Sequence, residues 1–266
     1  MQRAQRPVTA SPKAAGSAKV SRGALARQAV TRISARALLL RSVPIGEADL
    51  MLTLFTREGG TVSAAARSAR RSARRFGALE PLHELAVTLE VRDGIDIGKL
   101  VEARIERPRL AITRDLDRLE SAGHLLRWVR RACPPHVPEP MIFDALTGGL
   151  DALDANDGMA PRAILAAVGL ALCDGLGWGL DLERCVGCGK ACPTSAPSAI
   201  DPHRGGLVCQ ACGGARRILA GDVRAALRAA RAGDVASLEV RATEIAVELI
   251  DALLDAHVGP APVARK

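Results

Sequence analysis

The chain has 266 residues, is 48% hydrophobic and carries a formal net charge of +8, with no Tyr, three Phe and two Trp. Its length allows one large domain or two smaller ones, with a core of Ala, Leu, Val and Ile. No apolar run is long enough to span a bilayer, and the first residues lack the hydrophobic segment of a secretory signal, so we expect a cytoplasmic protein without a membrane partner.

The positive charge is concentrated at the front of the chain. Residues 1–76 contain 15 Lys and Arg against three acids, whereas the remaining residues are mildly acidic in balance. This asymmetry favours a polyanionic partner for the N-terminal part, and nucleic acid is the commonest such partner. A solubilising tail followed by a solvated loop would give the same composition.

Residues 1–33 contain seven basic residues, no acid and several Pro, Gly and Ser. Their weak apolar periodicity predicts a disordered basic N-terminal arm. The Arg-rich, acid-poor composition also fits a transit peptide, and a start codon assigned too early would give the same pattern. The sequence leaves all three interpretations open.

Residues 34–108 have the pattern of short β-strands. Apolar and polar side chains alternate, most clearly from Leu85 to Val91, and turn signals at Glu58-Gly59-Gly60 and Asp93-Gly94 separate the runs. Period-two alternation indicates strands with one buried face. Five such strands predict a small OB-fold β-barrel, because closure removes exposed edges, with an SH3-like barrel as the alternative.

A basic loop lies between the third and fourth predicted strands. It carries five arginines without an acid among them, followed by an aromatic residue: Arg67, Arg70, Arg71, Arg74, Arg75 and Phe76. Guanidinium groups bind phosphate through a planar fork, and an aromatic ring can stack on a base. We therefore predict that these six residues contact DNA with little sequence preference; a merely solvated charge run is the alternative.

The remainder of the chain has helical periodicity on both sides of a cysteine-rich segment. Apolar residues at three- and four-residue steps predict helices at 113–132, 141–153, 161–176, 222–232 and 237–257. The predicted organisation is a helical domain in two parts, 109–184 and 214–258, with a module at 185–213 between them and a flexible tail at 259–266. The fold class is thus multidomain α+β.

The module contains the most specific motif in the chain. Cys185 and Cys188 form one Cys-x-x-Cys pair and Cys209 and Cys212 form another, separated by 20 residues. Four thiolates at this spacing predict a tetrahedral Zn²⁺ site, and a site with four protein ligands is structural rather than catalytic. We expect Gly189 and Gly213 to let backbone amides approach the thiolates because they lack a Cβ.

Two alternatives remain for this motif. Cys192 or His203, which lie between the two pairs, could replace one ligand. The four cysteines could instead form two disulfides, although a cytosolic chain favours metal. No catalytic arrangement accompanies the motif: phosphate-cradling and nucleophile-elbow motifs are missing, Glu47 and Asp49 fit an exposed turn, and His83 is predicted to face solvent. We therefore predict that the chain is not an enzyme.

Several segments together resemble the RecO family of bacterial recombination mediators. They are residues 37–50, residues 54–60, the basic loop running into residues 75–81, and the two cysteine pairs within residues 181–189 and 205–212. Their order and spacing match over about residues 34–257, whereas the long basic arm and Cys192 depart from the family pattern.

The resemblance implies an N-terminal OB-fold, a helical domain and a four-cysteine zinc module. It also implies a DNA repair and recombination role in the RecFOR pathway: binding of single- and double-stranded DNA, annealing of complementary strands, and binding to RecR and to the C-terminal tail of single-strand-binding protein. The functional outcome would be that RecA displaces that protein from DNA at the nucleoid. A zinc-dependent nucleic-acid-modifying enzyme and a zinc-containing protein-interaction scaffold are the competing interpretations.

Overall fold

A computed structural model describes residues 30–76, 79–92, 94–155 and 157–260, except for the side chains of Ala73 and Arg74. Residues 1–29, most of the predicted basic arm, and residues 261–266, most of the predicted tail, lie outside the described residues. The first strand begins at Val30, so residues 30–33 belong to the folded barrel rather than to the arm.

Five strands form a closed barrel at the N-terminal end, in the order β1-β2-β3-β5-β4. They are β1 (Val30–Ile45), β2 (Asp49–Thr56), β3 (Gly60–Ala66), β4 (Glu84–Arg92) and β5 (Ile95–Arg107). All neighbouring pairs are antiparallel except β3 with β5. The predicted five-stranded OB-like barrel is therefore confirmed.

The first strand contributes to two hydrophobic cores. Ala37 and Leu39 point into the barrel, whereas Leu38 and Leu40 belong to the core of the helices. Successive side chains of a strand alternate between its faces, so one extended segment can serve both layers. A β-bulge between Leu39 and Arg41 then shifts the register of β1 against β2.

Five longer helices make up the second part of the chain. They are α2 (Leu116–Ala132), α3 (Pro140–Ala155), α4 (Pro161–Gly175), α5 (Gly221–Arg231) and α6 (Val240–Val258), after a short α1 (Ala73–Phe76) in the barrel. Asp115 caps α2 by accepting the backbone N–H of Arg118 at 2.9 Å. None of the helices in the described ranges combines the length and apolar composition needed to cross a bilayer.

Helix α4 packs between its neighbours at close range. A Cβ built on Gly169 would lie 2.4 Å from the ring of Trp128 in α2 and 2.7 Å from Ile250 in α6. A larger residue would therefore push α2 and α6 away from α4. The glycine allows the close approach of three helices that share one core.

The barrel packs directly on the helices. The rings of Phe55 in β2 and Phe143 in α3 are 5.7 Å apart, and Arg57 donates two 2.9 Å hydrogen bonds to Asp144. His83 is buried in this interface, where its Nδ1 accepts the backbone N–H of Arg109 at 3.0 Å. The prediction of a solvated His83 is wrong, because its segment packs on the helical core, to which the neighbouring Leu82 belongs.

A small four-stranded sheet connects α4 to α5. Its strands are β6 (Asp181–Cys185), β7 (Ser198–Asp201), β8 (Gly206–Leu207) and β9 (Arg217–Leu219), in the order β6-β8-β7-β9. Leu182, Ile200, Leu207 and Leu219 join the core of the helices. The segment between the cysteine pairs thus contributes apolar residues to the helical domain instead of forming a core of its own.

Candidate metal centre and nucleic-acid interface

The four predicted cysteine ligands lie together at one end of the small sheet. The Sγ atoms of Cys185, Cys188, Cys209 and Cys212 are all within 4.8 Å of one another, and those of Cys188 and Cys209 are 3.8 Å apart. A tetrahedron with Zn–S bonds of about 2.3 Å has an edge of about 3.8 Å. Four thiolates at these distances can enclose one metal ion and leave it no open coordination position.

Backbone amides support this cluster in the way expected for thiolate ligands. Cys185 Sγ accepts N–H groups from Cys209 at 3.3 Å and Gly187 at 3.4 Å, and these bonds, led by that from Cys209, lower the pKa of Cys185 to about 6. The pKa of Cys212 is raised to about 12, first through its bond with Cys209. Four crowded sulfurs cannot all ionise together without a cation, so the cluster suits a divalent metal.

The glycines of the cluster have different roles from those predicted. Gly189 and Gly213 have φ values of 72° and 95°, and a Cβ at either position would meet nothing within 4 Å. They are needed for left-handed backbone conformation, not for close approach, which corrects the prediction. Close approach occurs at Gly187 instead, where a Cβ would lie 3.1 Å from Cys212 Sγ.

The two alternative ligands lie outside the cluster. Cys192 Sγ points toward the carbonyl of Lys190 at 3.9 Å, and His203 is exposed on a 3₁₀ turn. All seven cysteines of the chain are free thiols. The geometry therefore brings together the four-cysteine set and neither alternative ligand.

The support for this cluster includes a residue that the sequence analysis missed. Arg224 of α5 is 1% exposed and donates hydrogen bonds to the main-chain oxygens of Leu182, Cys192 and Pro193. It therefore holds both the strand before Cys185 and the loop between the cysteine pairs. An arginine among apolar residues on a predicted helix face was the available signal, but these three main-chain partners lie more than 30 positions away.

The predicted DNA-binding loop connects β3 to β4 and has defined local structure. It contains a 3₁₀ turn at Ala69–Arg71 and the short helix α1. Four of its arginines are exposed: Arg67, Arg70, Arg71 and Arg75. Arg74 lies in α1, but its side chain is outside the described part of the chain.

The turn before β2 fixes the conformation of this loop. Asp49 Oδ1 accepts the backbone N–H of Ser68 at 2.7 Å, and the Ala48 carbonyl accepts that of Arg70 at 3.1 Å. Glu47 forms an exposed 3.3 Å ion pair with Arg71. Such surface pairs contribute little, so Arg71 can exchange Glu47 for another anion at small cost.

Phe76 has a different environment from the one predicted. Its side chain is 1% exposed and belongs to the core of the barrel, with the Arg75 guanidinium 4.8 Å above the ring centroid. A buried ring presents no face to a base, so Phe76 cannot stack on DNA in this conformation. It anchors the C-terminal end of the arginine loop to the barrel.

Comparison with known proteins agrees with this architecture. The sequence model for the N-terminal region of recombination protein O matches residues 30–109, and that for its C-terminal region matches residues 113–266.

The DNA repair protein RecO of Anaeromyxobacter sp. (strain K) is 36% identical over 245 residues, covering 88% of this chain and 95% of the relative. The RecO proteins of Geobacter metallireducens and Myxococcus xanthus are 35% and 36% identical, each over 66% of this chain and 71% of the relative. The family assignment agrees with the prediction that the chain is not an enzyme. The chain belongs to the RecO family of DNA repair and recombination proteins.

Proposed function

We propose that the chain is a DNA-binding recombination mediator that holds single- and double-stranded DNA by their phosphates. The observation that carries this proposal is the ordered arginine loop, in which Arg67, Arg70, Arg71 and Arg75 are exposed on a closed barrel. Because Phe76 is buried, the loop offers guanidinium groups without an exposed aromatic ring. It should therefore bind the backbone with little preference for base sequence.

We also propose that the four-cysteine cluster holds one structural Zn²⁺. The support is the set of sulfur atoms within 4.8 Å of one another and the Cys188–Cys209 distance of 3.8 Å. Zinc would supply a cross-link between two Cys-x-x-Cys turns and no chemistry on a substrate, because four protein ligands leave no position for water.

Annealing of complementary strands follows from the same surface. A positively charged barrel lowers the repulsion between two polyphosphate strands, and no covalent bond has to change. The proposed partners are RecR and the C-terminal tail of single-strand-binding protein, and the outcome is displacement of that protein from DNA by RecA. The proposed site of action is the cytoplasm, at the nucleoid, where such DNA is found.

Titration of fluorescently labelled single strands at several salt concentrations tests the binding surface. Replacing Arg67, Arg70, Arg71, Arg74 and Arg75 by Ala should weaken binding and flatten its salt dependence, by about 0.7 in logarithmic slope for each lost phosphate contact. The control replaces three arginines that are exposed on the helical domain, Arg114, Arg162 and Arg241, and its loss is compared per charge removed. Equal losses in both variants, or no DNA retention by the native chain at low salt, would contradict the proposal.

A further inference from the structure

Three arginines without acidic partners lie where the barrel meets the helices. Arg41 is on the outer face of β1, opposite Thr53, and is exposed. Arg127 and Arg130 are exposed on α2. We call these three residues the seam cluster.

Strand β1 contacts α2, which places Arg41 at the same junction as Arg127 and Arg130. Leu40, directly before Arg41, is buried in the same core as Leu126 and Val129 of α2. Residues three apart on a helix are neighbours on its surface, so Arg127 and Arg130 share one face. Burial, and after it the positive charges of Arg41 and Arg127, lower the pKa of Arg130.

The absence of counter-charges distinguishes the seam cluster from neighbouring arginines. Arg131, on the same helix, is 2.6 Å from Asp255, and Arg57, at the same domain junction, is 2.9 Å from Asp144. Within the part of the chain that the structure describes, no side-chain hydrogen bond or ion pair engages the seam cluster. Mutual repulsion of three unpaired cations is unfavourable, and a bound polyanion would relieve it.

We propose that Arg41, Arg127 and Arg130 form a second phosphate-binding site, which holds the backbone of a nucleic-acid strand at the junction of barrel and helices. This inference rests on the proposed DNA-binding function and extends it beyond the arginine loop. Glu47, which contacts the loop, is six positions from Arg41 and follows β1 in a turn, so the two Cα atoms are at most about 20 Å apart. A single strand can span that distance with about six stacked nucleotides, so both sites can bind one strand.

The test measures binding of a labelled single strand of about 20 nucleotides, long enough to reach both sites, across a salt series. Replacing Arg41, Arg127 and Arg130 by Ala should weaken binding at low salt and reduce the logarithmic salt slope by about 2, since each single-strand phosphate contact contributes about 0.7. The control replaces Arg114, Arg162 and Arg241 by Ala, which removes the same charge near the opposite end of α2. This control should leave the affinity and the salt slope close to those of the native chain.

A second variant separates loss of charge from loss of folding. Replacing the three seam residues by Lys keeps the charge and should retain most of the salt slope, even if the Ala variant is unstable. The inference is overturned if the native chain binds, the arginine-loop variant binds weakly, and the seam Ala variant keeps the native affinity and slope. It is also overturned if the Lys variant loses as much slope as the Ala variant. If the native chain does not bind at all, it is the proposed function that fails.

Discussion

Arg224 Nε donates a 2.6 Å hydrogen bond to the main-chain oxygen of Leu182, which joins α5 to the strand that leads into Cys185. The same guanidinium reaches the carbonyl oxygens of Pro193 at 2.7 Å and Cys192 at 2.8 Å. A single buried cation therefore satisfies polar groups on both sides of the first cysteine pair. The position of the four-cysteine module therefore depends on α5.

Arg224→Met should destabilise the protein by about 3 kcal/mol, because it leaves buried carbonyl groups without donors. Thermal unfolding measures the loss, and limited proteolysis should show earlier cleavage within residues 185–213. Arg228→Ala is the control on the same helix. Its ion pair with Glu183 is largely exposed, so removing it should cost less than about 1 kcal/mol. Equal melting temperatures for the two variants would contradict the role of Arg224.

Cys188→Ser should abolish stoichiometric zinc binding and lower the melting temperature, since metal binding contributes to the folding free energy of such modules. Metal analysis and thermal unfolding give the two readouts. In the cobalt-substituted native protein, the spectrum should show tetrahedral thiolate coordination without a bound water molecule.

Cys192→Ser is the matched control for the metal site, because Cys192 lies in the same module but outside the sulfur cluster. Its zinc content should equal that of the native chain. A loss of metal in this variant, or full zinc content in Cys188→Ser, would mean that the ligand set is wrong.

Phe76→Ala should destabilise the barrel by about 3–5 kcal/mol, because the ring fills the core beside the arginine loop. Phe76→Leu keeps most of the apolar volume and should fold with a smaller loss of about 1 kcal/mol. The Leu variant should bind single-stranded DNA with near-native affinity, since the ring is not available for stacking. A marked loss of affinity in a stably folded Leu variant would restore the stacking role.

Arg109→Met should lower the free energy of unfolding by about 3–5 kcal/mol, as measured by thermal or denaturant unfolding. The reason is that the substitution removes the buried cation beside the buried Glu84 carboxylate, at the junction of barrel and helices. Arg109 donates to Asp151 at 2.7 Å and to the Leu82 carbonyl at 2.7 Å. Its Nη2 is 3.8 Å from Glu84 Oε2, an atom that has no hydrogen-bond partner among the described residues.

The control for this junction is Arg107→Ala. Arg107 also pairs with Asp151, but its side chain is 56% exposed, so the variant should lose less than about 1 kcal/mol. Combining Arg109→Met with Glu84→Gln should recover part of the stability, because it removes a buried charge that would be left with the half-exposed Arg36 as its ion-pair partner. Additive losses in the double variant would show that the two groups do not interact.

The barrel and the clustering of the four cysteines were predictable because their signals are local. Alternation from Leu85 to Val91 reflects one strand with one buried face, and two Cys-x-x-Cys pairs define a ligand set without reference to the rest of the chain. The environments of His83 and Phe76 were not predictable in this way. Each depends on what packs against its segment, which periodicity along one strand does not reveal.

The amino-acid pattern alone was enough to predict the five longer helices to within a few residues, the five strands of the barrel, the four clustered cysteines and the resemblance to the RecO family, whereas the small sheet β6-β8-β7-β9 was not predicted. The pairing of charges became visible in the folded chain: Arg57 meets Asp144 across 87 positions, whereas no ion pair among the described residues engages Arg41, Arg127 or Arg130. The physical reason is that an ion pair depends on distance in space, while a sequence pattern records only distance along the chain.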